Sequence, residues 1–325
     1  MDARPLSPLP TRAPGEDWLV GAIDGHVHAC PHINGRRLDV LQAVRQAASA
    51  GMAAIGLMDN FANSSGLAEL AMRELGHLGV EVWGGLIMEP PAGGVTAEAV
   101  RIALDYGYGG TAHGARFISF PTHHTRHVAR QEGRSAAHIE RCFHVPERGP
   151  LPDPLPEILE RAAARDVVLN LGHLSESEYI RLAEAASSAG VRRLLVPANH
   201  LSAHAVEALA RFDAYFEFSF FFVSHATQVG LTHVDAERHR IAAAPIETLT
   251  GLIQAARHDR VILSSDAGSA LLPPPVESLR CFLLLLNAAG LSADALLPMI
   301  RDNPARLFRV AGPPACNSHT RHSTL

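Results

Sequence analysis

Eight times along the chain a short apolar run gives way to an amphipathic stretch, and few architectures accept that alternation. The runs are 18–23 (WLVGAI), 53–58 (AAIGLM), 80–87 (VEVWGGLI), 115–120 (ARFISF), 167–171 (VVLNL), 192–197 (RRLLVP), 214–219 (AYFEFS) and 260–265 (RVILSS). Between them apolar residues recur every three or four positions, as at Leu38, Leu41, Val44 and Ala48, or Leu67, Leu70, Met72 and Leu75. Ser175-Glu176-Ser177-Glu178 carries the cap and acidic first turn of a helix, and Ser202, Ile246 and Val276 mark further helix starts. Near-continuous apolar strands separated by helices imply a parallel sheet covered on both faces. Eight such units over roughly 290 residues imply an α/β fold of the closed (β/α)8 TIM-barrel type. An open doubly wound sheet would call for a glycine-rich phosphate loop after an early strand. Gly21-x-x-x-Gly25 lacks that spacing and runs into histidines.

The expected organisation is a flexible leader over residues 1–17, one barrel over 18–310 and a flexible tail over 311–325. Two segments break the rhythm. Residues 121–150 follow strand 4 and hold His123, His124, His127, His138 and His144; residues 220–245 follow strand 7. Both long loops leave the C-terminal ends of strands, where barrel enzymes carry their sites and lids.

Charge and cysteine use exclude several classes. The formal net charge of −5 is mild and the signs are mixed, so there is no basic face for nucleic acid and no polybasic patch for a membrane. The longest apolar run, from Cys281 to Leu286, is far too short to span a bilayer. Cys30, Cys142, Cys281 and Cys316 are scattered with no C-x-x-C pair, which fits a reducing, cytoplasmic setting without a disulfide framework. The partner expected is a small-molecule substrate.

What terminates each strand is more specific. Strand 1 runs into Asp24-Gly25-His26-Val27-His28. Residues two apart in a strand share a side, so His26 and His28 can offer two imidazoles to one ion, with Val27 facing away. Asp24 is expected to orient the pair by hydrogen bonding. Strand 5 ends in Gly172-His173, strand 6 in Asn199-His200, and strand 8 in Ser265-Asp266. His-x-His alone also fits an exposed polar face, His173 a helix cap, His200 a loop residue and Asp266 an N-cap. Four such ends meeting at one barrel mouth instead describe a metal site.

This set resembles the amidohydrolase superfamily of metal-dependent hydrolases: His-x-His after strand 1, His after strands 5 and 6, Asp after strand 8. Asn303-Pro304-Ala305-Arg306-Leu307-Phe308 is similar to the run that ends many members, and locally it reads as a helix start with Asn303 as N-cap. The resemblance spans roughly residues 18–310 and is nearest to phosphotriesterase-like and decarboxylase-like branches. It implies that His26, His28 and Asp266 bind a buried ion. His173 and His200 would bind a second ion, or one would join the first while the other contacts substrate. Zinc is the expected metal, with manganese or iron as alternatives. Family habit suggests a homodimer; the residues themselves carry no sign of one.

One departure matters. Many two-metal members bridge their ions with a carboxylated lysine after strand 4, and this chain has no lysine: its 28 basic residues are all arginine. A bridging carboxylate could come from Glu89, although next to Pro90-Pro91 it reads more simply as a turn residue. His123 or His124 could substitute as a ligand or touch substrate. Adjacent residues in an extended segment point apart, so at most one faces the site, and a surface loop remains the plainer reading. Glu217 and Arg116, charged residues inside apolar strands, need partners there; each is a candidate auxiliary group. His32, His225, His233 and His239 read as loop histidines, and Phe220-Phe221-Phe222 as a strand continuation more than a pocket wall.

The expected chemistry is hydrolysis of an ester, lactone, amide or phosphoester bond by metal-activated water, with Asp266 as general base and His200 or a second metal polarising the substrate. The alternatives are a metal-dependent decarboxylase, favoured if an arginine such as Arg116 or Arg126 grips a carboxylate, and a non-catalytic metal-holding barrel.

Overall fold

Seven of the eight expected apolar runs yield strands where expected, and the computed structural model describes residues 13–108, 114–229, 231–232 and 238–311. Most of the leader, His233 and the tail from residue 312 lie outside the described residues. The barrel strands are β1 (Ile23–Val27), β2 (Ala54–Leu57), β3 (Glu81–Ile87), β4 (Phe117–Ser119), β5 (Val168–Asn170), β6 (Leu194–Pro197), β7 (Tyr215–Ser219) and β8 (Val261–Ser264). They pair in parallel in chain order as one eight-stranded sheet. The seam between β8 and β1 is held by a parallel bridge between Val27 and Ala267 and by the His28 N–H on the Ala267 carbonyl (2.8 Å). Asp24 reinforces it by accepting from the Ser265 N–H (3.1 Å). The result is a (β/α)8 barrel.

The helices begin where their caps require. Ser175 opens the helix Glu176–Ser188, and its N–H donates to the Glu178 carboxylate (2.9 Å). Ser202 caps the helix Ala203–Ala210 by accepting from the Ala205 N–H (3.1 Å). Asn303 departs from expectation. The last helix is Asp302–Phe308, so Asn303 lies inside it, fully buried, and its amide donates to the carbonyls of His258 (2.7 Å) and Val261 (2.6 Å). It anchors the helix under β8 instead of capping it.

β1 also differs from expectation. Asp17–Leu19 is a 3₁₀ turn and Gly21 has φ +76°, so the strand starts at Ile23 and contains His26. Ile23 and Asp24 pair with Ala54 and Ile55, yet Val27 pairs with Leu57, so β1 carries one extra residue. That bulge re-aims the chain. Ile23 and Gly25 point into the barrel, where a Cβ on Gly25 would meet the Phe308 ring at 2.9 Å. After the bulge, His26 and His28 take the inward direction and Val27 packs among the outer core residues.

Two apolar clusters hold the fold. The larger lies between barrel and helices; the smaller fills the barrel floor, where Trp83 stacks on Phe308 (4.9 Å between centroids). The floor closes the N-terminal end and leaves polar side chains to the opposite mouth. Arg116 belongs to the floor. At the start of β4 it donates to the Phe308 carbonyl and to Glu81, each at 2.7 Å. The expectation that it serves the mouth is therefore corrected: it finds its partners at the opposite end of the barrel.

Candidate metal centre

At the C-terminal mouth, nitrogen atoms of His26 and His28 and a carboxylate oxygen of Asp266 all lie within 4.8 Å of one another. Nε2 of His26 and Nε2 of His28 each lie 3.3 Å from Oδ1 of Asp266. Strand pleat and bulge supply the two imidazoles from β1. Asp266 follows β8 with φ +47°, a left-handed conformation that Asp tolerates better than most side chains. Gly268, two residues on, is needed for contact, because a Cβ there would lie 2.1 Å from the His28 carbonyl oxygen.

Behind the three donors stands Glu217. This buried carboxylate of β7 accepts from the Ser264 hydroxyl (2.7 Å) and meets Nδ1 of His26 (3.1 Å). A carboxylate on the far nitrogen fixes the ring and leaves Nε2 as the donor, the usual support of a metal-ligating histidine. Asp24 was expected to play this part. It accepts instead from the backbone N–H of His26 (3.2 Å) and of Ser265, so it positions the strand, not the ring.

The electrostatics separate the histidines. Burial would lower the pKa of His26, but the charges of Asp266 and Glu217 outweigh it and carry it up to about 9. Burial, with help from the Arg36 charge, holds His28 well below the ordinary range. Burial also takes His173 down to about 4 against the pull of Asp266, so its imidazole is neutral at physiological pH.

His173 and His200 stand beside the three-donor group and not within it. Gly172 sets His173: its φ is +67°, and a Cβ would come within 2.4 Å of the Pro121 carbonyl oxygen. The buried Tyr179 hydroxyl donates to the Gly172 carbonyl (2.6 Å), and Thr125 donates to that of His173 (2.7 Å). The 3₁₀ turn Phe220–Phe222 places Phe222 between the two rings, 5.9 Å from His173 and 5.3 Å from His200. Phe222 is thus a pocket wall, contrary to the expected strand continuation. A cavity of about 240 Å³, lined by His127, His173, Asn199, His200 and Phe222, adjoins the mouth.

Two more assignments change. Glu89 is fully buried and accepts from the backbone N–H groups of Thr122 (2.7 Å), His123 (2.6 Å) and His124 (3.2 Å). Its oxygens are occupied in pinning the loop after β4, so it is neither a bridging ligand nor a plain turn residue. His123 and His124 do point apart: His123 lines the mouth, with its ring 6.4 Å from that of His173, while His124 faces His138. Residues not singled out from sequence also reach the mouth. Arg36 lines it beside Asp266, and its guanidinium meets the His32 ring at 3.0 Å. Asn60 joins them from the loop after β2. Both lie in polar loops without periodicity, where sequence gives no direction to a side chain.

A family model described as "Family of unknown function (DUF6282)" matches residues 21–217, from before β1 to β7. The chain belongs to the DUF6282 family. No curated protein matches this family member. Among solved structures, an organophosphorus hydrolase from Deinococcus radiodurans is 15% identical with a TM-score of 0.55, over 89% of this chain and 92% of that one. A second, described as organophosphate hydrolysis activity engineered from a weak promiscuous lactonase template, is 18% identical with a TM-score of 0.52, over 82% and 85%. At these identities the likeness establishes the barrel. No helix among the described residues is long and apolar enough to cross a membrane.

Proposed function

We propose that this DUF6282 protein is a metal-dependent hydrolase acting on an ester, lactone, amide or phosphoester bond of a small molecule. The observation that carries the reading is the convergence of His26, His28 and Asp266 donor atoms within 4.8 Å, with Glu217 fixing the His26 ring. Two imidazoles and one carboxylate suit zinc, with manganese or iron as alternatives. A divalent ion bound there would supply Lewis acidity and make water acidic enough to ionise near neutral pH.

The chain's own residues would do the rest. Asp266 accepts a proton from the attacking water and returns it to the leaving group. His173, neutral at physiological pH, and His200 flank the adjoining cavity and can hold a substrate oxygen or serve as further donors. Phe222 presents an apolar wall to the rest of the substrate. Asp266→Asn should lower turnover by about 10²–10⁴-fold on a panel of aryl esters, lactones and phosphotriesters while most of the metal stays bound. Unchanged turnover would remove Asp266 from its role.

One observation favours a second reading, decarboxylation of a small acid. Arg36, and not Arg116 or Arg126, brings a guanidinium to the mouth beside Asp266. Carbon dioxide release without hydrolysis on a panel of small carboxylic acids, abolished by Arg36→Gln, would decide for the lyase.

A further inference from the structure

The loop after β4 holds a second cluster of metal donors. Nitrogens of His124 and His138 and the sulfur of Cys142 lie within 4.8 Å of one another. Two local structures bring them together. His138 lies on the short helix Ala136–Arg141 and Cys142 ends it, so the two are one helical turn apart on one face. Thr125 and Phe143 form a parallel bridge, with the Phe143 N–H donating to the His124 carbonyl (3.0 Å) and the Arg126 N–H donating to Phe143 (2.8 Å). Residues one step before that bridge, His124 and Cys142, therefore sit side by side.

We infer that His124, His138 and Cys142 form a second metal site for zinc or another borderline-soft divalent ion. A thiolate with two imidazoles is a donor set that such ions prefer, and it is chemically distinct from the carboxylate-containing mouth. Cys142 is buried, in no disulfide, and its thiol donates to the His138 carbonyl (3.3 Å). On binding, the thiol proton passes to solvent and the sulfur bonds the ion. Three protein donors leave one position for water. The ion would clamp the helix Ala136–Arg141 to the loop containing His123, which lines the mouth. The site stands apart from the hydrolase reading, since it shares no residue with His26, His28 and Asp266.

Cobalt titration of reduced, chelator-treated full-length protein tests it. Thiolate-to-cobalt charge transfer gives a near-ultraviolet band that oxygen and nitrogen ligands do not. The band is expected in wild type, in Cys30→Ser and in a His26→Ala/His28→Ala double variant, and is expected to vanish in Cys142→Ser. His138→Gln, on the partly exposed helix, should weaken cobalt binding at this band by at least about 10-fold and provides the test if Cys142→Ser fails to fold. Zinc should also raise the Tm of the double variant. Absence of the band in wild type, or its survival in Cys142→Ser, overturns the site; loss of turnover in Asp266→Asn bears only on the mouth.

Discussion

Glu217 interrupts the apolar strand Tyr215–Ser219, and its environment explains why a charge is tolerated there. It is 3% exposed, with Ser264 donating to it and His26 against it. Glu217→Gln preserves the shape and the acceptor oxygen but removes the charge that holds the His26 ring. The fold should persist while affinity for a divalent ion at the mouth falls about 10–100-fold, the usual cost of losing the support behind a ligating histidine. Competition against a chromogenic chelator measures this. An affinity equal to wild type would mean that Glu217 serves packing alone.

At the scale of elements, the loop after β4 is shaped by a carboxylate from the end of β3. Glu89 collects three successive backbone N–H groups, from Thr122, His123 and His124. Glu89→Gln would turn an amide donor toward donors, and should cost about 1–3 kcal/mol with faster amide exchange at residues 122–124. Metal content at the mouth should stay unchanged; its loss would restore Glu89 as a ligand. This loop also shows where sequence reading stops. The eight strands were legible because apolar runs and helical periodicity are local signals. His26, His28 and Asp266 were legible because strand ends converge in a barrel. The start of β1 was not, since the bulge exists only through pairing with β2. Arg116, Glu89 and Arg36 were misplaced or missed for a related reason: which end of a strand, or which neighbour, a charge meets depends on register and loop path.

For the molecule as a whole, the missing lysines simplify its response to alkali. Most proteins lose protons from many lysines near pH 10.4, and those losses hide other groups. Among the side chains only His26, four tyrosines and four cysteines remain to titrate above neutral pH, while arginine keeps its charge. Tyr106 and Tyr108 are exposed, whereas Tyr179 is 4% exposed and burial raises its pKa well above the ordinary 10. The folded state therefore keeps the Tyr179 proton where the unfolded chain releases it. That contribution is fully present below pH 10 and is lost as pH rises toward the folded value, with a slope of about −1.4 kcal/mol per pH unit for one group. Tyr179→Phe should flatten the alkaline limb of a urea-unfolding series between about pH 10 and 12. It also removes the hydroxyl on the Gly172 carbonyl, so the same variant should loosen His173 beside the mouth. An alkaline slope unchanged in Tyr179→Phe would assign the loss to another group and leave Tyr179 as packing. A flattened slope would tie the molecule's alkaline stability to the buried Tyr179 hydroxyl, the same group that holds the Gly172 carbonyl beside its candidate site.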